Sequence, residues 1–143
     1  MAIVHRFLEL KTQSPLADDY RFHALPDACT YVVFDQSDPT IAGVTRLKAS
    51  SEELNLGKTF HFINIRFLPG VWQRDREEVS YGVVKEAYSG GLPLRAVNKE
   101  LIGHDFAAQQ IILSRFVESL VESKLVIANP VTEKIFQDRK SVV

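Results

Sequence analysis

The sequence lacks most of the features that assign a chain quickly. It has one cysteine, Cys29, which excludes a disulfide within the chain and suits a reducing compartment. It has no surplus of either charge. Seventeen Lys and Arg stand against eighteen Asp and Glu, a formal charge of −1, so there is no overall electrostatic case for nucleic acid. The basic residues are scattered, with Arg74 and Arg76 beside Asp75, Glu77 and Glu78. No apolar run approaches the roughly 20 residues that cross a bilayer. The start, "MAIVHRFLEL", carries His5, Arg6 and Glu9 and makes a poor signal peptide. The expectation is a cytoplasmic chain that does not enter the membrane.

Signatures of catalysis are missing as well. The four histidines, His5, His23, His61 and His104, are far apart and form no His-x-His pair, whereas a metal site needs several ligands converging at bonding distance. There is no Gly-x-Ser-x-Gly elbow, Walker loop or dinucleotide fingerprint. Gly90-Gly91 reads as a helix stop, and Cys29 as a buried thiol inside a strand with no activating motif. No catalytic residue, metal or cofactor is therefore expected.

What is present falls into two halves of one domain-sized chain. At 143 residues and 45% hydrophobic content, a single core can bury roughly 68% of the unfolded surface. Up to about Leu68 the signals are β. Strand candidates are "IVHRFLEL", Tyr20 to Leu25, Ala28 to Asp35 and "IAGVTRLKA", with a short strand or turn in "SSEELNLGK". Turns at Pro26-Asp27 and "QSDPT" separate them. Short strands at this spacing argue for a sandwich or small barrel.

The stretch "FHFINIRFLPGVW" is the strongest strand. Phe60, Phe62, Asn64, Arg66 and Leu68 alternate with His61, Ile63, Ile65 and Phe67, so both faces are largely apolar and the strand should be central. Arg66 and Asn64 interrupt one face. They read either as a polar handle inside a cavity or as groups near an exposed strand end.

After Pro69-Gly70 the period changes. "QRDREEVSYGVVKEAYSGG" and "LPLRAVNKELIG" suggest short helices closed by glycine. From an N-cap at Asp105 to about Val126 the pattern predicts a strongly amphipathic helix. Phe106, Leu113, Val117 and Leu120 supply one stripe. Ile112, Phe116, Val121 and Leu125 widen it beyond what one contact requires, so a dimer through Leu113, Phe116, Val117, Leu120 and Val121 is expected. The alternative is that the earlier helices cover the excess. Asn129-Pro130 marks a further helix start.

Three segments, "RFHALPDACTYVVFD", "AGVTRL" and "INIRFLPGVW", taken in this order and spacing, resemble the N-terminal domain of a branch of AraC-type transcription regulators. The matching residues are Leu25, Pro26 and Asp27, then Arg66, Phe67, Pro69 and Gly70, and the resemblance runs from about Tyr20 to Leu125. It implies an α+β fold, a cupin-like β-barrel or sandwich followed by C-terminal helices for dimerisation and sensing. Residues 1–129 would form this sensory domain, with the barrel in about 1–70 and the helices in about 74–127. Residues 130–143 would be a linker or the start of a DNA-binding domain with two helix-turn-helix motifs, and the chain would be a fragment of the regulator. The implied partners are a second copy, a small-molecule effector, and DNA only through that further domain. An effector in the barrel would meet Phe22, Tyr31, Phe60 and Phe62, with Arg66 fixing its orientation through a charge-assisted fork. A cupin-type enzyme and a stand-alone interaction module are the competing classes.

Overall fold

The structure, a computed structural model, describes residues 3–18, 20–24, 29–46, 52–73, 78–79 and 87–128. Seven strands precede two helices: β1 (Val4–Lys11), β2 (Tyr20–Ala24), β3 (Thr30–Asp35), β4 (Ala42–Arg46), β5 (Glu52–Gly57), β6 (His61–Phe67), β7 (Glu78–Val79), α1 (Leu94–Leu101) and α2 (Phe106–Glu122). The order in the main sheet is β1-β6-β3-β4-β7, and β2-β5 forms a separate antiparallel ribbon. The four strands β1, β6, β3 and β4 run antiparallel, while β7 joins β4 in parallel. The fold is therefore α+β.

Two expectations need correcting. Among the described residues the main sheet does not close into a barrel, because β1 and β7 stand at its two ends and β2-β5 forms a separate ribbon. The stretch from Gln73 to Gly91 is not helical where it is described. Glu78 pairs with Val44, and Ala87 bridges Ile41, so this segment supplies backbone partners along β4. The helix start at Asn129-Pro130 lies outside the described residues.

The alternation of β6 decides how the layers stack. Ile63, Ile65 and Phe67 are fully buried and face the helices together with Val32 and Phe34 of β3 and Val44 of β4. Against them pack Leu94 and Leu101 of α1 and Ile112, Leu113, Phe116 and Leu120 of α2. The rings of Phe34 and Phe116 meet edge to face at 6.2 Å, and Phe67 meets Trp72 at 5.4 Å. Cross-strand pairs place Tyr31 opposite Arg66 and Val33 opposite Asn64 on the other face. Val33 and Asn64 are buried too, as expected for a central strand.

Local chemistry sets the ends of the elements. Pro69-Gly70 turns the chain after β6, and Gly70 has φ +79°, a conformation that costs glycine nothing. The Asp105 side chain accepts the Ala108 N–H at 2.9 Å and caps α2 as its sequence predicts. No glycine or proline interrupts the 17 residues of α2, whose inward apolar side chains are held by packing on the sheet. It stops at a Schellman-type turn. The Leu125 N–H returns to the Leu120 carbonyl, the Lys124 N–H to that of Val121, and Lys124 has φ +61°. The chain then runs back along residues 71–73, with Trp72 bridging Val126.

Candidate functional site

The sheet face opposite the helices carries the polar cluster that the sequence singled out. Arg66 is half-buried near the end of β6. Its Nε donates to the Tyr31 hydroxyl at 3.0 Å, and its Cζ lies 5.9 Å from the centre of the Tyr31 ring. The pair exists because the β3–β6 register sets Tyr31 directly opposite Arg66. Arg66 Nη1 is 2.8 Å from Nδ1 of His5. Arginine can only donate, so Nδ1 is the acceptor and a neutral His5 ring carries its proton on Nε2.

His5 reaches that position through an irregularity. The β1–β6 register shifts between Val4 and Arg6, which leaves His5 as an extra residue in the strand. Such bulges re-aim side chains. Nothing in the sequence announced this contact, because a bulge becomes visible only once the two strands are paired.

The other expected ligand residues are placed unequally. Phe62 shares the Arg66 face and is half-exposed. Phe60 is buried just before β6, where its backbone N–H and carbonyl meet the Thr12 hydroxyl at 3.2 and 3.3 Å. Phe22 lies in β2 opposite Leu54, and its side chain lies outside the described residues. The structure thus brings Arg66 and Tyr31 into contact, places Phe62 on their face, and adds His5. Elsewhere, His61 pairs with Glu9 at 3.0 Å. Cys29 is buried.

A second polar cluster, unforeseen, lies on the helix side. Asn98 is fully buried, and its Nδ2 lies 3.0, 3.3 and 3.0 Å from the carbonyls of Asp35, Asp38 and Ile41. Its Oδ1 accepts from Gln36 at 2.7 Å, and Gln109 Nε2 donates to Gln36 Oε1 at 3.2 Å and to the Leu101 carbonyl at 3.1 Å. One chain of amides thus ties both helices to the β3–β4 turn. Its signal was legible: Leu94, Asn98 and Leu101 recur at helical spacing, so Asn98 belongs to the inward stripe.

The same turn carries two carboxylates with opposite tendencies. Burial raises Asp35 above the ordinary carboxylate range, against the lowering effect of the Ser37 N–H that it accepts at 2.8 Å. Asp38 is lowered, chiefly by the Thr40 hydroxyl at 2.7 Å and then by the Thr40 N–H.

The expected dimer face divides in two. Leu113, Phe116 and Leu120 are buried in the chain's own core, so they cannot meet a partner without leaving it, and the expectation is corrected for these three. Val117 is half-buried and Val121 is 42% exposed. Both line an open groove of about 560 Å³ between α2 and β1, with Ile3, Val4 and Phe7 opposite and Glu118 and Glu122 on the rim.

Among the described residues no three His, Cys, Asp or Glu side chains converge to hold a metal ion. No described helix is long and apolar enough to cross a membrane. Compared with protein-family models, curated proteins and solved structures, the chain finds no match.

Proposed function

We propose that the chain is the effector-sensing and dimerisation region of an AraC-type transcription regulator, cytoplasmic and cupin-like in ancestry, which reaches DNA only through a domain outside it. The observation that carries this reading is Arg66. It belongs to the Arg-Phe-x-Pro-Gly motif on which the resemblance rests, and its guanidinium is oriented by Tyr31 and His5 on the sheet face away from the helices. A planar cation held beside aromatic rings suits a small carboxylate, which can accept two parallel N–H bonds from the fork. The effector acts by binding one arrangement of sheet and helices better than another, which shifts the population of the two.

The test is a panel of small aromatic and aliphatic carboxylates, each beside its neutral amide, assayed by thermal shift and calorimetry. A carboxylate at a hundredfold excess over its Kd adds about 2.7 kcal/mol of stability. The expected result is a saturable rise in Tm with at least one acid, absent with its amide and absent in Arg66→Gln. If no carboxylate shifts the wild-type chain, the reading fails.

A further inference from the structure

We propose that the effector of the Arg66 site is a small dicarboxylate, whose second acidic group is read by Arg6 from the neighbouring strand. The inference rests on the carboxylate reading above and deepens it by naming the ligand's charge. After the irregularity at His5, the β1–β6 register resumes with Arg6 directly opposite Arg66. Residues directly opposite in a sheet share a face. His5 and Arg6 thus both stand against the one arginine, the two-to-one count of a bulge. Phe7 and Glu9 alternate to the helix side, where Phe7 faces α2 and Glu9 bonds His61. The nearest carboxylate of β1 is therefore on the wrong face to serve either guanidinium.

This register sets two permanent cations side by side. Opposite residues have Cα atoms ~5 Å apart, and like charges so placed destabilise a sheet. Tyr31 and His5 orient the Arg66 guanidinium through neutral acceptor atoms and bring no negative charge to it. Arg6 is exposed, and among the described residues no carboxylate pairs with it. An anion that spans both arginines turns this repulsion into attraction. The half-buried, oriented fork of Arg66 takes one carboxylate in a fixed geometry. The long side chain of Arg6 follows the second across a short carbon spacer, so the pair selects diacids over monoacids.

The experiment is calorimetry on the whole chain at neutral pH and low salt, where exposed charges are least screened. The probes are malonate, succinate, glutarate and phthalate, each beside its monoamide, on the wild type and on Arg6→Gln. At least one diacid should bind the wild type about tenfold tighter than its monoamide. In Arg6→Gln that preference should vanish while the monoamide binds as before. Without ligand, Arg6→Gln should melt no lower than the wild type, because it removes a repulsion. Diacids that bind no tighter than their monoamides, or a preference that survives in Arg6→Gln, overturn the proposal and leave Arg66 as a site for one carboxylate. A lower Tm for ligand-free Arg6→Gln also overturns it, because the chain itself would then supply the anion. If neither diacids nor monoacids bind, this proposal and the carboxylate reading fall together.

Discussion

On the helix side of β6, Ile63, Ile65 and Phe67 meet the side chains of two helices, and the buried polar side chains of those helices are the amides of Asn98 and Gln109, which bond Gln36 and the backbone. On the far side the same strand presents Asn64 and Arg66, with Tyr31 and His5 around the guanidinium. One residue of register separates the two. The helix side is organised to be left alone, since apolar contacts and neutral amides gain nothing from a visiting ion. The far side holds a cation in an orientation fixed by Tyr31 and His5, the arrangement on which the proposed carboxylate site rests. A single strand thus supplies both the core and the candidate site, at alternate positions.

The comparison breaks most readily at its apolar end. Phe116→Ala, which removes a ring packed on Phe34, should cost about 3–5 kcal/mol. Urea denaturation of the two proteins measures it, and a loss under 1 kcal/mol would show that this face is not the core. Asn98→Ala takes the Nδ2 donor from the three turn carbonyls and the Oδ1 acceptor from Gln36, for an expected loss of about 3 kcal/mol by the same method. An unchanged midpoint would mean that the network is ornamental.

Smaller effects sharpen the picture without breaking it. Lys124 sits in a left-handed conformation that side chains resist, so Lys124→Gly should stabilise the chain by about 1 kcal/mol. A fall in Tm would contradict the Schellman ending of α2.

The last effect concerns pH. Burial raises Asp35, so its neutral form is the one the fold favours. Its contribution to stability is complete below the ordinary carboxylate range and is lost as pH rises through that range to the raised value. Asp38 behaves oppositely: its contribution is present above the range and is lost as pH falls through its lowered value. In Asp35→Asn the loss on going from acid to neutral pH should diminish, while the acid-side loss from Asp38 remains. Thermal melts between pH 2 and 7 decide it, and parallel profiles for the two proteins would remove the effect from Asp35.

Strands and helices with a strong period were legible from the residues. The β6 alternation, the Asp105 cap and the short helix in "LPLRAVNKELIG" all appear where the pattern put them. What stayed hidden depends on pairing partners far along the chain. The stretch around Glu78 carries a helical mixture of charges, and only the free edge of β4 draws it into a strand. The width of the apolar arc on α2 was read correctly, but its division between sheet and groove was not, because that depends on where β1 lies. Arg66 and Tyr31 were both named from sequence, and their contact follows from register. His5 was not among the expected ligand residues, because its position comes from a bulge.

The amide network also bears on the order in which the chain assembles. Its bonds between the helices and the β3–β4 turn join residues 57 to 73 positions apart, whereas the β3–β4 hairpin and α2 close over short spans. Contacts of such separation carry a large loop entropy and form once local pieces already exist. The network is then absent from the folding transition state and works as a latch on the finished molecule. In that case the cost of Asn98→Ala should appear in the unfolding rate, with the refolding rate nearly unchanged. A slower refolding limb would instead make the turn and helices the nucleus. A latch of this kind sets how long the two layers stay together once formed.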